Sequence, residues 1–319
     1  MRSALSISNI RSDMKNRKLL GNTILIFTSV VWGLGFSWQR VGMESISPIT
    51  FTAAREIVSA IFIGLLAMII NLKTKPSRMD WEPERLMKRR KNTVAGGICC
   101  GIFLVAATLF QQVGIVYTSA GKAGFITAMY MLFVPIFGFV LFKRKNPWVV
   151  WLAVFVGIVG MYFLCITGDF TLTKGDALEF VCAMLYSGHI LCCDHYVGDA
   201  DPISMSAIQF VTASVISTVL AFMFEHPGIE GIMLALIPIL YCGFVSGGIG
   251  YTSQIVGQRF TDPAPASLIM SLEAVFAVLG GALMLRERMT FREKLGCIIM
   301  FIAIILVQLP ELMSSRRQE

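Results

Sequence analysis

A few ionisable side chains lie inside long apolar runs, and their chemistry is the first thing the sequence offers. Placing an ionised group in hydrocarbon costs roughly 2.5–3.5 kcal/mol, so each one found there needs a reason. Glu273 lies about nine residues into the apolar run 263–285, or about 14 Å at 1.5 Å per residue. A carboxyl group at that depth can take up and release a proton, so we expect protonation of Glu273 to affect ligand binding. An interhelical hydrogen bond or snorkelling toward the lipid surface is the alternative.

Two further side chains of this kind are His189 and Arg55. His189 is near the middle of the run 175–197, where a neutral imidazole could relay a proton, bind a ligand or simply be satisfied in the core. Arg55 follows Pro48 by seven residues, about 10 Å along a helix, and its guanidinium suits a carboxylate or phosphate unless it snorkels outward. Glu56 is adjacent to Arg55 in sequence, so the two do not face each other on a helix.

Aromatic and amide side chains with one polar end form a second set of candidates. Such groups suit the wall of a cavity for an amphipathic small molecule, although each could also pack between helices. They are Trp32, Gln111, Tyr130, Tyr186, Tyr251 and Gln254.

The composition indicates which elements must position these residues. Of 319 residues, 55% are apolar or aromatic and 15% are charged, against roughly 25% charged in a soluble domain. With a mean hydropathy of +0.71, the chain cannot cover a water-exposed surface. The net charge of +7 is divided among short segments between apolar runs, which argues against a nucleic-acid partner. We therefore predict an all-α polytopic membrane protein with the lipid bilayer as its surroundings.

Ten runs are long enough to cross a hydrocarbon core of roughly 30 Å, which takes about 20 helical residues. The first, Leu19–Gln39, is predicted to be an uncleaved span. The spans are predicted near 20–38, 48–72, 93–115, 119–142, 147–167, 175–197, 203–224, 232–257, 263–285 and 292–311.

The distribution of Lys and Arg predicts the orientation. With the amino terminus inside, cytoplasmic segments carry 19 of these residues and outer segments carry 7. Since basic loops resist translocation, both termini are predicted to be cytoplasmic, in the plasma membrane. The basic loop 286–294 is the exception, because ten spans require it to face outward.

The two halves of the chain resemble each other. At an offset of 154, Trp32 aligns with Tyr186 and the segment 48–53 aligns with 202–207. At an offset of 143, Gln111 aligns with Gln254, and Glu273 is the mate of Tyr130. Each half would contain five spans, and an odd number inverts the second half relative to the first. The predicted organisation is a basic segment 1–18, repeats 19–168 and 169–311, and a tail 312–319, with a ligand site near the midplane.

Several motifs resemble the EamA family of the drug/metabolite transporter superfamily, from about Gly21 to Leu309. The resemblance rests on Trp32-Gly33, on 111–114 (QQVG) followed by 117–120 (YTSA), on 123–128 (AGFITA) and on 266–276 (ASLIMSLEAVF). It implies a ten-span carrier of two inverted repeats, many of whose relatives export amino acids or other metabolites. Many relatives have proline after the ninth-span glutamate, where this chain has Ala274, so the sequence offers no proline-based reason for a helix break there.

The function expected is therefore a secondary transporter, an exporter of small organic metabolites such as amino acids, with protons as a candidate coupling ion. No enzyme activity, cofactor or metal site is expected. Gly121-Lys122-Ala123 lacks the Ser or Thr of an ATP-binding phosphate loop, and the eight cysteines show no C-x-x-C spacing. Two alternatives remain at this point, an intramembrane transferase using His189 or the pair Asp194-His195, and a non-transporting membrane subunit without a midplane cavity.

Overall fold

The computed structural model describes residues 2–74, 82–118, 120–165, 173–284 and 290–316, and these ranges are almost entirely helical. The first half comprises α1 (Arg2–Gly42), α2 (Pro48–Thr74), α3 (Pro83–Tyr117), α4 (Ala120–Thr127), α5 (Tyr130–Phe142) and α6 (Trp148–Cys165). The second half begins with α7 (Lys174–Val197), α8 (Pro202–Phe224), α9 (Ile229–Leu234) and α10 (Leu236–Leu240). A π-helical segment (Tyr241–Tyr251) follows, and then α11 (Thr252–Gln258), α12 (Pro263–Met270), α13 (Glu273–Met284) and α14 (Phe291–Arg316).

Within the described residues, seven helical segments are long and apolar enough to cross a membrane. Two shorter apolar helices, Trp148–Phe163 and Pro263–Leu279, accompany them. Large apolar side chains face outward along these helices, for example Ile61, Leu65 and Met68, each about three-fifths exposed on α2. A surface of this kind belongs in lipid rather than in water. The protein is a polytopic α-helical membrane protein.

Proline and capping residues determine where several helices start. Pro48, Pro83, Pro202 and Pro263 each occupy the start of a helix, where a missing N–H has no cost and the fixed φ is favourable. Asp201 caps α8 by accepting a hydrogen bond from the Ser204 backbone N–H at 3.1 Å. The helices that start at Pro48 and Pro202, which are mates in the predicted repeat, thus both begin with proline.

Small residues allow close helix packing at two places. Gly97 and Gly101 place α3 against α8, and a Cβ on Gly101 would lie 2.6 Å from Thr212 Cβ and 2.7 Å from the Gln209 carbonyl oxygen. Gly243 and Gly247 of the π-helical segment pack on α2 in the same manner. The small-xxx-small spacing of these glycines therefore serves helix packing.

Ion pairs gather several basic segments at one end of the helix bundle. They are Lys18–Asp262 at 3.8 Å, Arg89–Asp201 at 2.7 Å and Arg144–Asp194 at 2.5 Å. At the other end, the Glu225 carboxylate closes α8 onto the start of α2. It accepts hydrogen bonds from the backbone N–H of Ile49 (3.1 Å) and Thr50 (2.7 Å) and from the Thr50 hydroxyl (2.7 Å).

The fourth and ninth apolar runs are each broken into two helices. α4 ends at Thr127 and α5 begins at Tyr130, while α12 ends at Met270 and α13 begins at Glu273. Tight backbone hydrogen bonds between residues three apart form both breaks, such as Met131 N–H to Ala128 O and Ala274 N–H to Ser271 O. The ninth run breaks without a proline, so the absence of proline at Ala274 did not predict its geometry.

Candidate functional site

A narrow cavity with about 30 Å³ of free space lies among α1, α2, α3, α4, α5, α7, α11, α13 and the π-helical segment. Eight of the nine residues singled out from the sequence line it. They are Trp32, Arg55, Gln111, Tyr130, Tyr186, Tyr251, Gln254 and Glu273. The remaining lining residues are Phe36, Gln39, Thr127, Ile190 and Ser246. This space holds about one or two water molecules, so an organic molecule can enter only if the surrounding helices move apart.

Glu273 and Tyr130 meet directly in this cavity. Each is the first residue after a helix break, so both side chains project from the start of a half-helix. The Tyr130 hydroxyl donates a hydrogen bond to Glu273 Oε1 at 3.1 Å. Backbone N–H groups at a helix start favour negative charge, so this position can accommodate a carboxylate inside the membrane. The contact joins the two broken helices.

Arg55 supplies positive charge to the same cavity. Its side chain is only 7% exposed, so it lies inside the bundle and does not snorkel outward. Its guanidinium carbon lies 6.0 Å from the centre of the Phe51 ring. The neighbouring Glu56 points elsewhere, accepting hydrogen bonds from the hydroxyls of Thr108 (3.0 Å) and Ser217 (2.7 Å). Arg55 and Glu273 therefore place a guanidinium group and a carboxyl group in one cavity.

Hydrogen-bonded aromatic side chains form one wall. The Tyr186 hydroxyl lies 2.9 Å from the Tyr251 hydroxyl and donates to Gln111 Oε1 at 3.3 Å. Trp32 packs on Tyr251 with 4.6 Å between ring centres, and its indole N–H donates to the Ser246 carbonyl oxygen at 3.1 Å. These contacts hold the polar ends of three aromatic side chains in fixed positions.

The side-chain amide of Gln254 is part of the cavity wall and is held by a hydrogen bond within its own helix. Its Nε2 donates to Gln258 Oε1 at 2.9 Å, while its own Oε1 is buried without a hydrogen-bond partner. Gln39 Oε1, also in the cavity wall, is in the same situation. Unsatisfied acceptors of this kind are available to a donor such as an ammonium group.

His189 is the one predicted site residue that does not line the cavity. It is fully buried one layer behind the wall, where its Nε2 lies 3.0 Å from Gln209 Oε1. Its ring meets the Tyr251 ring edge-on at 5.8 Å. Any influence of His189 on the cavity must therefore pass through Tyr251.

Glu179 is a buried acid that the sequence reasoning missed. It is on α7, where its Oε2 accepts a 2.7 Å hydrogen bond from the Thr127 hydroxyl and its Oε1 has no partner. Because Thr127 lines the cavity, Glu179 lies directly behind it. Its place inside the run 175–197 was the available signal, and it is the same signal that identified Glu273.

The pair Asp194-His195 does not form a reactive site. Asp194 is held by Arg144, and the His195 ring stacks on Phe142 at 6.2 Å between centres. A transferase would need a nucleophile beside a base, and this pair offers neither arrangement.

Comparison with known proteins identifies the family. The family model of the EamA-like transporter family matches residues 19–166 and 173–309. An uncharacterized transporter of Archaeoglobus fulgidus is 26% identical over 293 residues, covering 92% of this chain and 87% of the relative. The uncharacterized transporter YoaV of Bacillus subtilis is 20% identical over 280 residues, covering 86% of this chain and 92% of YoaV.

A solved crystal structure has a similar fold, with a TM-score of 0.71. The superposition covers 93% of this chain and 98% of the solved chain at 15% sequence identity, so this likeness supports the fold alone. The family match confirms the resemblance found in the sequence motifs and points to a transporter rather than an enzyme. The chain belongs to the EamA-like transporter family.

Proposed function

We propose that this protein is a secondary transporter that exports small organic metabolites such as amino acids by alternating access. The observation that carries the proposal is the single cavity holding both Arg55 and Glu273. An amino acid presents a carboxylate and an ammonium group, which match the guanidinium and the carboxyl group. The aromatic wall gives its side chain an apolar surface.

The architecture proposed is ten spans in two inverted five-helix repeats. Its first support is the composition of the cavity, which contains three pairs of repeat mates: Trp32 with Tyr186, Gln111 with Gln254, and Tyr130 with Glu273. The helix breaks at 128–129 and 271–272 are also separated by the repeat offset of 143. Discontinuous helices meeting at a site between repeats are typical of secondary transporters.

Helix packing gives a second line of support. If each span is replaced by its repeat mate in the other half, each main pair of packed helices becomes another pair that also packs. α3 against α7 corresponds to α1 against the π-helical segment and α11, and α3 against α8 corresponds to α2 against the π-helical segment. The mate pairs α2–α8 and α6–α14 pack on each other. A two-fold axis in the membrane plane would produce this pattern.

The orientation proposed places both termini in the cytoplasm. The ion pairs at one end of the bundle involve Lys18, just before the first predicted span, the start of α3 and the segment after α5, all predicted to be cytoplasmic. Arg292 at the start of α14 lies 5.0 Å from the Tyr162 ring near the end of α6, on the side predicted to face outward. Residues 285–289 of the exceptional basic loop lie outside the described residues.

Transport by purified full-length protein in proteoliposomes tests the function. A panel of radiolabelled amino acids, nucleosides and toxic analogues is offered with and without a proton gradient. We expect saturable uptake or counterflow of at least one zwitterionic compound. Flux that never exceeds that of empty liposomes across the panel would contradict the proposal.

Two variants then test the site. Arg55→Gln and Glu273→Gln each remove one charge from the cavity, and we expect each to reduce transport at least tenfold, because a buried charged hydrogen bond contributes about 1.5–3 kcal/mol. Glu230→Gln is the matched control, since Glu230 is an exposed acid on α9 and its flux should be unchanged. Unaltered flux and an unaltered pH profile in Glu273→Gln would remove Glu273 from the mechanism.

Labelling tests the architecture separately. A cysteine introduced at Arg288 in a variant without native cysteines should react with an impermeant maleimide added outside intact cells. If the introduced cysteine reacts only after the cells are permeabilised, the inverted ten-span scheme is overturned.

A further inference from the structure

A cluster of thiols and one imidazole lies between α3 and α7, one layer behind the cavity wall. The thiol cluster consists of Cys100, Cys192, Cys193 and His189, with the half-buried Cys99 beside it. Cys100 Sγ lies 3.3 Å from Cys192 Sγ and 3.5 Å from Cys193 Sγ. Cys193 Sγ lies 3.7 Å from His189 Nε2 and 3.9 Å from Nδ1.

We propose that Cys100, Cys193 and His189 form a binding site for a Zn²⁺ ion. Their two Sγ atoms and a ring nitrogen all lie within 4.8 Å of one another. In a tetrahedral site with Zn–S of about 2.3 Å and Zn–N of about 2.05 Å, two sulfurs are about 3.8 Å apart and a sulfur and a nitrogen about 3.6 Å. The Cys100–Cys193 Sγ separation of 3.5 Å and the separation of 3.9 Å between Cys193 Sγ and His189 Nδ1 each lie within about 0.3 Å of this geometry.

The surroundings of His189 also fit a ligand. Gln209 Oε1, 3.0 Å from Nε2, can accept the Nε2–H and so leave Nδ1 free to bind the metal. Metal-binding histidines almost always donate their second ring N–H to such an acceptor. Cys192, in contact with Cys100 at 3.3 Å, is placed to form a hydrogen bond to the coordinating sulfur. Three protein ligands leave the fourth position to water.

Charge and position favour Zn²⁺ over a monovalent ion. Two thiolates neutralise Zn²⁺, whereas the same ligands around Cu⁺ would leave one net negative charge in a fully buried site. Cys193 is four residues before the end of α7, about 6 Å from the terminus predicted to face the cytoplasm. Zinc can therefore enter from that side without crossing the cavity.

Spacing within one helix did not reveal this site. His189 and Cys193 are separated by four residues and so share a face of α7, but the third ligand comes from α3. The expectation of no metal site relied on the lack of C-x-x-C spacing, a pattern that does not describe ligands on two helices. Bound zinc would cross-link α3 to α7 beside Tyr251, which packs on His189.

The test uses purified full-length protein in detergent, loaded with Zn²⁺, desalted and assayed for metal by mass spectrometry. We expect one zinc ion per chain in the wild type and none above background in Cys100→Ser and Cys193→Ser. Cys182→Ser is the matched control, because Cys182 is also buried on α7 but lies outside the cluster, and it should keep full occupancy. Gln209→Leu should weaken Zn²⁺ binding by about 10–100-fold.

Co²⁺ substitution in the wild type gives a second readout that needs no variant. Tetrahedral coordination by two thiolates should produce intense visible bands and a sulfur-to-cobalt charge-transfer band. Absence of these bands, or zinc retained by the Cys100→Ser/Cys193→Ser double variant, would overturn the proposal. The readout is independent of transport, so its failure would leave the proposed function untouched.

Discussion

The hydrogen bond between Tyr130 and Glu273 gives a quantitative test of the link between the two halves. Tyr130→Phe removes only the hydroxyl that donates to Glu273 Oε1, and Glu273→Gln removes the charge while keeping the shape. The single substitutions disturb other contacts, so the informative quantity is the coupling free energy from the double-mutant cycle.

The structure sets the size of this coupling. At 3.1 Å, the oxygen–oxygen distance exceeds the 2.5–2.7 Å of strong charge-assisted bonds, so the range for an ordinary hydrogen bond, about 0.5–1.5 kcal/mol, applies. Side-chain hydrogen bonds within membranes average about 0.6 kcal/mol and reach about 1.7 kcal/mol. We therefore expect a coupling of about 0.5–1.5 kcal/mol.

The assay is reversible unfolding in mixed micelles for the wild type, both single variants and the double variant. A second cycle pairing Tyr130→Phe with Glu230→Gln serves as the control and should give no coupling within about 0.3–0.5 kcal/mol. If the Tyr130–Glu273 cycle gives no more than the control cycle, the two broken helices are not joined in the way the structure describes.

Three further predictions concern the stability of the bundle. Gly101→Ala should lower the free energy of unfolding by about 1–3 kcal/mol, because the added Cβ would clash with α8. Gly64→Ala is the control and should not destabilise the protein, because nothing lies within 4 Å of its added Cβ. Unfolding in micelles measures the free energy for both variants. Glu225→Ala should cost about 1–3 kcal/mol in the same assay, because it strips three hydrogen bonds from the start of α2, and an equal loss in Glu230→Ala would contradict this. Burial alone would raise the pKa of Asp201, but hydrogen bonds from Ser204 and Arg89 bring that pKa below its ordinary value. Its contribution is therefore complete above about pH 4 and lost as the pH falls through the lowered pKa, so the stability advantage of wild type over Asp201→Asn should shrink below about pH 4 in acid titrations.

Much of the candidate site could be predicted because charge in hydrocarbon is a strong signal. Arg55 and Glu273 stand out against their apolar runs, and the repeat offset directs attention to Tyr130 and Gln254. In each case a side chain at midspan depth faces the interior, since facing lipid would leave its polar atoms without partners.

What the sequence did not reveal depends on contacts between helices. The side of α7 that His189 faces is set by packing against α3 and α8, so a midspan position alone did not place it behind the wall. The break before Glu273 comes from backbone turns that no residue type in the sequence predicts. The thiol cluster forms only because α3 and α7 pack with their cysteines at the same level. Glu179, in contrast, was visible as an acid inside a span and was overlooked.

The absence of proline at the ninth-run break has a mechanical consequence. Proline at a bend removes a backbone donor permanently, whereas at the bend at 271–272 the N–H groups of Leu272 and Ala274 are retained and donate to the third preceding carbonyl. Straightening the bend would require Leu272 and Ala274 to change acceptors from the third to the fourth preceding carbonyl. The bend before Glu273 therefore leaves these two donors available to a continuous helix, which a proline at position 274 would prevent.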